Sequence, residues 1–450
     1  MRLVRPAPLT LALIALVASA SSLMSQTIDP RPAAGISRKL GGGSAPSQRI
    51  GELLPRRKAR TGPPFSASGQ EAEADKVTVD SQGYTGAENA IYSPRPRTVF
   101  VAYKRFLRDP IEPGGDLVAA QLRVARSADG GKNWSLDVVD ATAGEPGDVV
   151  DQSVAIGGDR DDTIYMAYLE QSEEVDANLL KVAKSTDAGK TWTIGRVSRQ
   201  GGGGYVAIKV IDTKTVLIAA KKAGGTEPLR LYSTTDGGNS WTKSTIDTFG
   251  WYTGLDTSRS DRIWVSYFNP GATSLHSATS TSPAGPWVNA VVAGEGGDDD
   301  YAGLGNSLDV TRSGDVYVSY EDFQRSRGRS VVRVSKTSNL GESWSTNRVQ
   351  AATFIGWNTA IRVIERSATT HAFVAYWYGR PNPELKGRVR IAHSEDGAET
   401  WSVTTIHERR YVDPYLDLAA PTPGVQYISY QARNTGGGTI LRVARVDTTP

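Results

Sequence analysis

The sequence predicts an all-β chain in which one four-stranded unit is repeated around a ring, and three observations carry that prediction. The first is a turn signature of the form Ser/Thr-x-Asp-x-Gly-x-x-Trp. It is intact at 127–134, 185–192 and 234–241, and degenerate in three copies ending at Trp287, Trp344 and Trp401. The six Trp recur every 46 to 58 residues, a period that marks one supersecondary unit copied along an array. The second is a short apolar strand ending in Tyr, as in Val101-Ala102-Tyr103, Met166-Ala167-Tyr168, Val265-Ser266-Tyr267, Val318-Ser319-Tyr320, Val374-Ala375-Tyr376 and Ile428-Ser429-Tyr430, with Leu217-Ile218-Ala219 in the same slot of a shorter unit. The third lies at the ends: the 49 residues after Trp401 suffice for three strands, and Lys76–Asp80 stands upstream as a spare one. Four-stranded units set radially, the last completed by an N-terminal strand, make a β-propeller. The count gives seven blades, with six as the alternative.

From the N-terminus, Arg2 and Arg5 precede an apolar run from Leu9 to Val17 and then Ala18-Ser19-Ala20. This order predicts a cleaved signal peptide over residues 1–26 and a secreted or periplasmic protein. Residues 27–75 are rich in Pro, Gly and Ser and read as a disordered linker. Residues 76–450 are expected to form the single propeller domain. With no Cys, there is no disulfide, and stability must come from a sizeable packed core. The net charge of +3 is spread along the chain, without the clustered basic face that nucleic acid requires. No transmembrane segment is expected in the mature chain, which should be a monomer.

Within each unit, apolar and β-branched residues alternate in short runs between Gly, Asp, Asn and Pro clusters, the pattern of strands. Third strands follow at 122–125, 180–183, 331–334, 389–392 and 441–444. The signature then turns the chain into a fourth strand. Its Asp accepts hydrogen bonds from backbone amides further on, its Gly takes a positive φ, and its Trp offers a broad apolar face to a neighbour. Asp129 with Trp134, Asp187 with Trp192, and Asp236 with Trp241 are therefore read as structural.

These turns resemble the Asp-boxes, or bacterial-neuraminidase repeats, of the sialidase superfamily, and the resemblance covers roughly residues 76–450. It implies a propeller with the turns on one face and a ligand site at the opposite mouth of the channel, formed by loops entering first strands and leaving second strands. It does not fix an activity, because such boxes occur in sialidases, other glycosidases, polysaccharide lyases and non-enzymatic propellers. The loops on the mouth side share aromatics: 19 residues before the second-strand Tyr stand Tyr84, Tyr301, Trp357 and Tyr411, with Val149 in one unit, and Tyr205, Trp251 and Tyr252 occupy comparable places. They are either inter-blade core or a ring of faces on which sugars stack.

Sialidases hold a substrate carboxylate with three arginines and use a Tyr activated by Glu together with an Asp acid/base. The first-strand Arg-Ile-Pro of that family is replaced here by Gly86-Ala87-Glu88-Asn89-Ala90. Arg105, in Ala102-Tyr103-Lys104-Arg105, is the one triad position the resemblance carries over. The remaining catalytic candidates are Glu321, Asp322 and Asp413, with Tyr411 or Tyr415 as a nucleophile. No cofactor and no metal are expected: His276, His371, His393 and His407 show no ligand spacing, and the acidic run 298–300 lacks the alternation of a calcium loop. Three functions stay open: a glycan-binding propeller without full sialidase activity, an active glycosidase or lyase, and a protein-binding scaffold.

Overall fold

The period-2 runs become strands because their alternate residues can be buried against the neighbouring unit. The computed structural model describes residues 74–448, except 107–119, 142–148, 160–161, 173–176, 202–204, 222–227, 295–299, 325–326, 353, 367–368, 380–386, 408–411 and 435–437. The expected signal peptide and all but the last two residues of the linker thus lie outside the described residues.

Strand β1 (Asp75–Asp80) comes first. Unit 1 is β2 (Tyr84–Arg95), β3 (Thr98–Phe106), β4 (Ala120–Ser127) and β5 (Ser135–Ala141); unit 2 is β6 (Val149–Gly158), β7 (Ile164–Ser172), β8 (Ala177–Ser185) and β9 (Thr193–Gly201). Unit 3 is β10 (Ala207–Val210), β11 (Val216–Lys221), β12 (Leu229–Thr234) and β13 (Thr242–Asp247); unit 4 is β14 (Trp251–Thr257), β15 (Ile263–Asn269), β16 (Ser274–Ser280) and β17 (Val288–Ala293). Unit 5 is β18 (Tyr301–Val310), β19 (Val316–Gln324), β20 (Arg329–Thr337) and β21 (Ser345–Ala352); unit 6 is β22 (Phe354–Arg366), β23 (Thr369–Gly379), β24 (Gly387–Ser394) and β25 (Ser402–His407). The last unit has β26 (Val412–Thr422), β27 (Val425–Arg433) and β28 (Thr439–Asp447), and β1 pairs antiparallel with β28 to complete it. The N-terminal strand closes the ring.

Each unit is an antiparallel meander, and the sheets of the first and last units are joined by one parallel bridge, Tyr84 to Thr439. Successive first strands touch in a closed cycle, β2 to β6, β10, β14, β18, β22, β26 and back to β2, so they line the central channel. This is a β-propeller.

The core is divided in the same way, into hydrophobic clusters that each span two successive units. Trp134, Trp192, Trp241, Trp287, Trp344 and Trp401 each pack into the cluster shared with the preceding unit, while the cluster between units 6 and 7 has no turn Trp.

The turns work as their residue types require. Asp129 Oδ1 accepts from the backbone N–H of Lys132 and Asn133, each at 3.0 Å, Gly131 N–H donates to Ser127 Oγ at 2.9 Å, and Trp134 Nε1 donates to the Gly131 carbonyl at 2.9 Å. The amide and side chain of Asn133 and the Ser127 hydroxyl hold the Asp129 carboxyl well below the usual carboxylate range. Asp187 and Asp236 repeat the arrangement. Asn339 substitutes in a degenerate copy, its Oδ1 accepting from Ser343 N–H at 3.1 Å.

Candidate functional site

Six of the seven first strands are irregular where they enter the channel, the short β10 being the exception. Register shifts interrupt the β2/β3, β6/β7, β14/β15, β18/β19, β22/β23 and β26/β27 ladders, inserting extra residues on the first strand. Bulges of this kind re-aim side chains and are enriched beside active sites. Glu88, Tyr205, Tyr252, Gly305, Asn358 and Tyr415 occupy equivalent places on the first strands of units 1, 3, 4, 5, 6 and 7, at or beside these irregularities. Four of these have left-handed backbones, with φ of 47° at Glu88, 48° at Tyr205, 56° at Tyr252 and 56° at Gly305.

The next residue clasps the preceding unit. Thr253 Oγ1 donates to the Tyr205 carbonyl at 2.7 Å, Asn306 Nδ2 to that of Tyr252, Thr359 Oγ1 to that of Gly305 at 2.8 Å, and Asn89 Nδ2 to that of Tyr415 at 3.2 Å. Second-strand serines complete the clasp, Ser266 Oγ donating to Asn306 Oδ1 at 2.6 Å and Ser319 Oγ meeting Thr359 Oγ1 at 2.8 Å. This belt of inter-unit hydrogen bonds fixes the strained residues above it.

Their side chains converge from different units. Tyr205 and Tyr252 stack with ring centroids 3.9 Å apart. Burial, then Tyr252, Tyr415 and Glu88, push the Tyr205 hydroxyl well above the usual phenol value. Tyr252 is raised chiefly by burial. Both phenols therefore stay neutral and serve as hydrogen-bonding groups. Glu88 pairs with the buried Lys104 at 3.3 Å.

Deeper in the channel runs a belt of charge: Lys209, Asp256, Asp309 and Arg362, three residues beyond the clasp positions, with Asp417 from β26. Lys209 bonds Asp256, and Arg362 Nη2 lies 3.8 Å from Asp417 Oδ1. Burial opposes the charge of Asp256, but Lys209 overrides it and holds this carboxyl below its ordinary value. Asp309 goes the other way: burial and Asp256 push it up to about 7 against the pull of Arg362. Asp417 is raised by burial. The backbone N–H groups of Val310, Val363 and Ile91 donate to Asp256, Asp309 and Asp417 at 2.9, 2.5 and 3.0 Å, tying each belt residue to the next unit.

The rim carries the other aromatics. Tyr84 faces Phe106 across the β2/β3 ladder. Tyr301 stacks on Phe323 at 4.8 Å and meets Phe268 edge-on at 6.4 Å, Phe268 lies 6.5 Å from Trp251, and Trp357 lies 6.1 Å from Trp377. Lys221 Nζ sits 4.9 Å over the Trp251 ring. Tyr84, Tyr205, Trp251, Tyr252, Tyr301 and Trp357 are all half-buried, neither core nor free surface. The second-strand partners Phe106, Phe268 and Phe323 escaped sequence reasoning; each falls one or three residues after the strand Tyr, which is a usable signal.

The constant 19-residue spacing does not mark one structural position. Tyr84 and Tyr301 precede the bulge, Trp357 lies inside it, and Tyr205 and Tyr252 are equivalent to Glu88. The β22/β23 hairpin is longer than its counterparts, which displaces the count.

Of the catalytic candidates, Glu321 is wholly buried beside Gly356 of the next unit. Its Oε1 accepts from Ser330 Oγ at 2.7 Å, its Oε2 has no hydrogen-bond partner, and burial pushes its carboxyl up to about 8. Asp322 points to the opposite sheet face and pairs with Arg333 at 2.5 Å. Arg105 likewise alternates away from Lys104, and its Nε is buried without a partner. Tyr411, Asp298 and Asp299 lie outside the described residues, as does the side chain of Asp413. Tyr415, not resolved by spacing alone, occupies the converging position.

Two further features lie away from the mouth. A cleft of about 520 Å³ at the far ends of first strands is lined by Tyr92, Pro94, Asp159, Ile211 and Asp212. His371 and His393, which the sequence keeps apart, meet on the paired strands β23 and β24, with Glu395 beside them. Among the described residues, no helix is long and apolar enough to cross a membrane.

The fold thus defines the class, a β-propeller of four-stranded antiparallel units with a constricted, polar and aromatic channel mouth. Several solved structures align with it over most of its length. A Dyadobacter fermentans protein of unknown function aligns at TM-score 0.51 and 12% identity over 84% of this chain and 99% of that one. An endosialidase of phage phi92 gives 0.49 and 9% over 84% and 70%, and an α-L-arabinofuranosidase of Fusarium graminearum gives 0.48 and 12% over 83% and 97%. At such identities the likeness is one of fold. No family model matches the chain, and no curated protein does.

Proposed function

We propose that this chain is an exported, seven-bladed, sialidase-like propeller that binds a glycan or similarly polar ligand at the channel mouth, without full sialidase activity. The observation that carries the reading is the convergence of Glu88, Tyr205, Tyr252 and Tyr415 on the channel, three of them at equivalent first-strand positions with left-handed backbones. Such strain costs roughly 1–3 kcal/mol per residue and gathers where a ligand is held. Phenols and a carboxylate supply hydrogen bonds to hydroxyls, and the half-buried rim aromatics supply faces for sugar rings. Among the described residues no carboxylate-clamping arginine triad gathers in this arrangement: Arg362 is committed to Asp417, and the first-strand position holds Glu88. Export rests on the charged and apolar N-terminal pattern, and a monomeric mature domain over 76–450 fits the closed ring.

The test is binding of the mature chain to a broad glycan array including sialylated and uronic-acid sugars. Saturable binding lost in Tyr301→Ala and Trp357→Ala supports the mouth. Binding that both variants keep puts the ligand elsewhere, and silence across the array favours a protein partner.

One observation favours a second reading, an active glycosidase. Glu321, whose buried carboxyl is raised to about 8 and whose Oε2 has no hydrogen-bond partner, is the candidate proton donor. Turnover of the bound glycan that falls by about 10²-fold or more in Glu321→Gln would establish it; turnover unaffected by that change would end it.

A further inference from the structure

We propose that His371, His393 and Glu395 form a binding site for a borderline-soft divalent metal ion such as Zn²⁺, on the turn face of unit 6 and independent of the mouth. The three residues share one face of the β23/β24 hairpin. Phe373 lies opposite His393 in the ladder, and side chains two apart on a strand point the same way, so His371 and His393 project from one patch. Glu395, in the turn just after β24, brings its carboxylate to the same patch.

The distances suit a metal. One ligand atom from each residue lies within 4.8 Å of the others, and His371 Nδ1 is 3.2 Å from His393 Nε2. Zinc binds imidazole nitrogen at about 2.0–2.1 Å in tetrahedral geometry, which sets two nitrogens about 3.3 Å apart. Without an ion the same approach closes as an N–H···N hydrogen bond, one imidazole donating to the other. A metal takes both lone pairs once the donating imidazole carries its proton on the other ring nitrogen, and Glu395 supplies an oxygen.

The imidazoles are held ready. The His393 ring stacks on Phe373 with centroids 4.4 Å apart and planes at 7°, and His371 is parallel to His393 within 13°. Both histidines are half-buried and Glu395 is exposed, which leaves a fourth position open to water. Two nitrogens and one carboxylate oxygen select Zn²⁺, Cu²⁺ or Ni²⁺ over Mg²⁺ and Ca²⁺, which want more oxygen ligands.

The site would act as a staple. Glu395 belongs to the turn after β24, which is tied to the start of β23 by Gly397 N–H donating to the Thr370 carbonyl at 3.2 Å. An ion bound there links the two strand ends and stabilises the fold in proportion to the logarithm of its concentration over Kd.

The experiment is calorimetric titration of the tag-free mature chain with ZnCl₂, together with X-ray absorption of the loaded protein. One equivalent should bind, with an inner shell of two imidazole nitrogens plus oxygen, and Mg²⁺ should not compete. His371→Ala and His393→Ala, checked for parental Tm in EDTA, should weaken binding by about tenfold or more, Glu395→Gln by less, and His276→Ala not at all. Absence of saturable binding, a shell with fewer than two imidazoles, or unchanged affinity in His371→Ala/His393→Ala overturns the proposal. The absorption spectrum of the parent decides the matter even if a variant fails to fold.

Discussion

Tyr205 and Tyr252 lie face to face across two neighbouring units, ring centroids 3.9 Å apart, and both take positive φ at equivalent first-strand positions. The third unit is built from the shortest strands, yet it keeps this Tyr. The pair marks where the channel narrows and where the chain accepts strain.

Gly305 holds that position in the fifth unit. A Cβ there would sit 2.0 Å from the Trp357 carbonyl, at φ of 56°. Gly305→Ala should therefore cost about 1–3 kcal/mol or more, since the obstacle is backbone and cannot rotate away. Chemical denaturation measures it, and a variant as stable as the parent would mean the bulge has another shape.

Glu321 should make the protein less stable as pH rises. Its carboxyl is raised from 4.5 to about 8, so between those values the unfolded chain ionises while the folded one stays protonated. The unfolded state then binds fewer protons, and stability falls across that window by at most about 1.4 kcal/mol per pH unit. Glu321→Gln should be more stable than the parent at pH 8, with the difference gone near pH 4. Urea titrations at both values check it.

The channel belt gives a contrast of sign. Asp309, raised to about 7, is also penalised as pH rises from 3.8, so Asp309→Asn should stabilise at pH 8. Lys209→Met leaves Asp256 buried without its partner and should destabilise by about 3–5 kcal/mol. If both substitutions moved Tm the same way at pH 8, the pairing across the belt would be wrong.

At the turns, Asp129→Asn should be milder than Asp129→Ala, because Asn339 already does this work in another copy. Trp401→Ala, at 7% exposure and packed between units 5 and 6, should cost about 3–5 kcal/mol. Thermal melts of the three variants give the order.

The architecture was legible because it repeats. Turn residues, second-strand Tyr and the spare strand at 76–80 each report a local requirement, and β1 pairing with β28 completes the ring as the leftover count demands. The mouth was legible in part. Aromatics were found at Tyr205, Tyr252, Tyr301 and Trp357, but residue counting cannot see a bulge, so Glu88 and Tyr205 were not recognised as equivalent. Long-range partners were equally hidden: the Glu88–Lys104 pair, the channel belt from Lys209 to Asp417, and the His371–His393 contact all depend on register between strands.

The most direct measurement is the affinity of the array-selected glycan for the parent and for Tyr252→Ala and Trp357→Ala, by calorimetry on variants shown to keep the parental Tm. A ligand seated at the mouth should bind each variant about tenfold or more weakly, the loss of a stacking face or a hydrogen-bonding phenol. Equal affinity in all three proteins would contradict a binding role for the channel mouth.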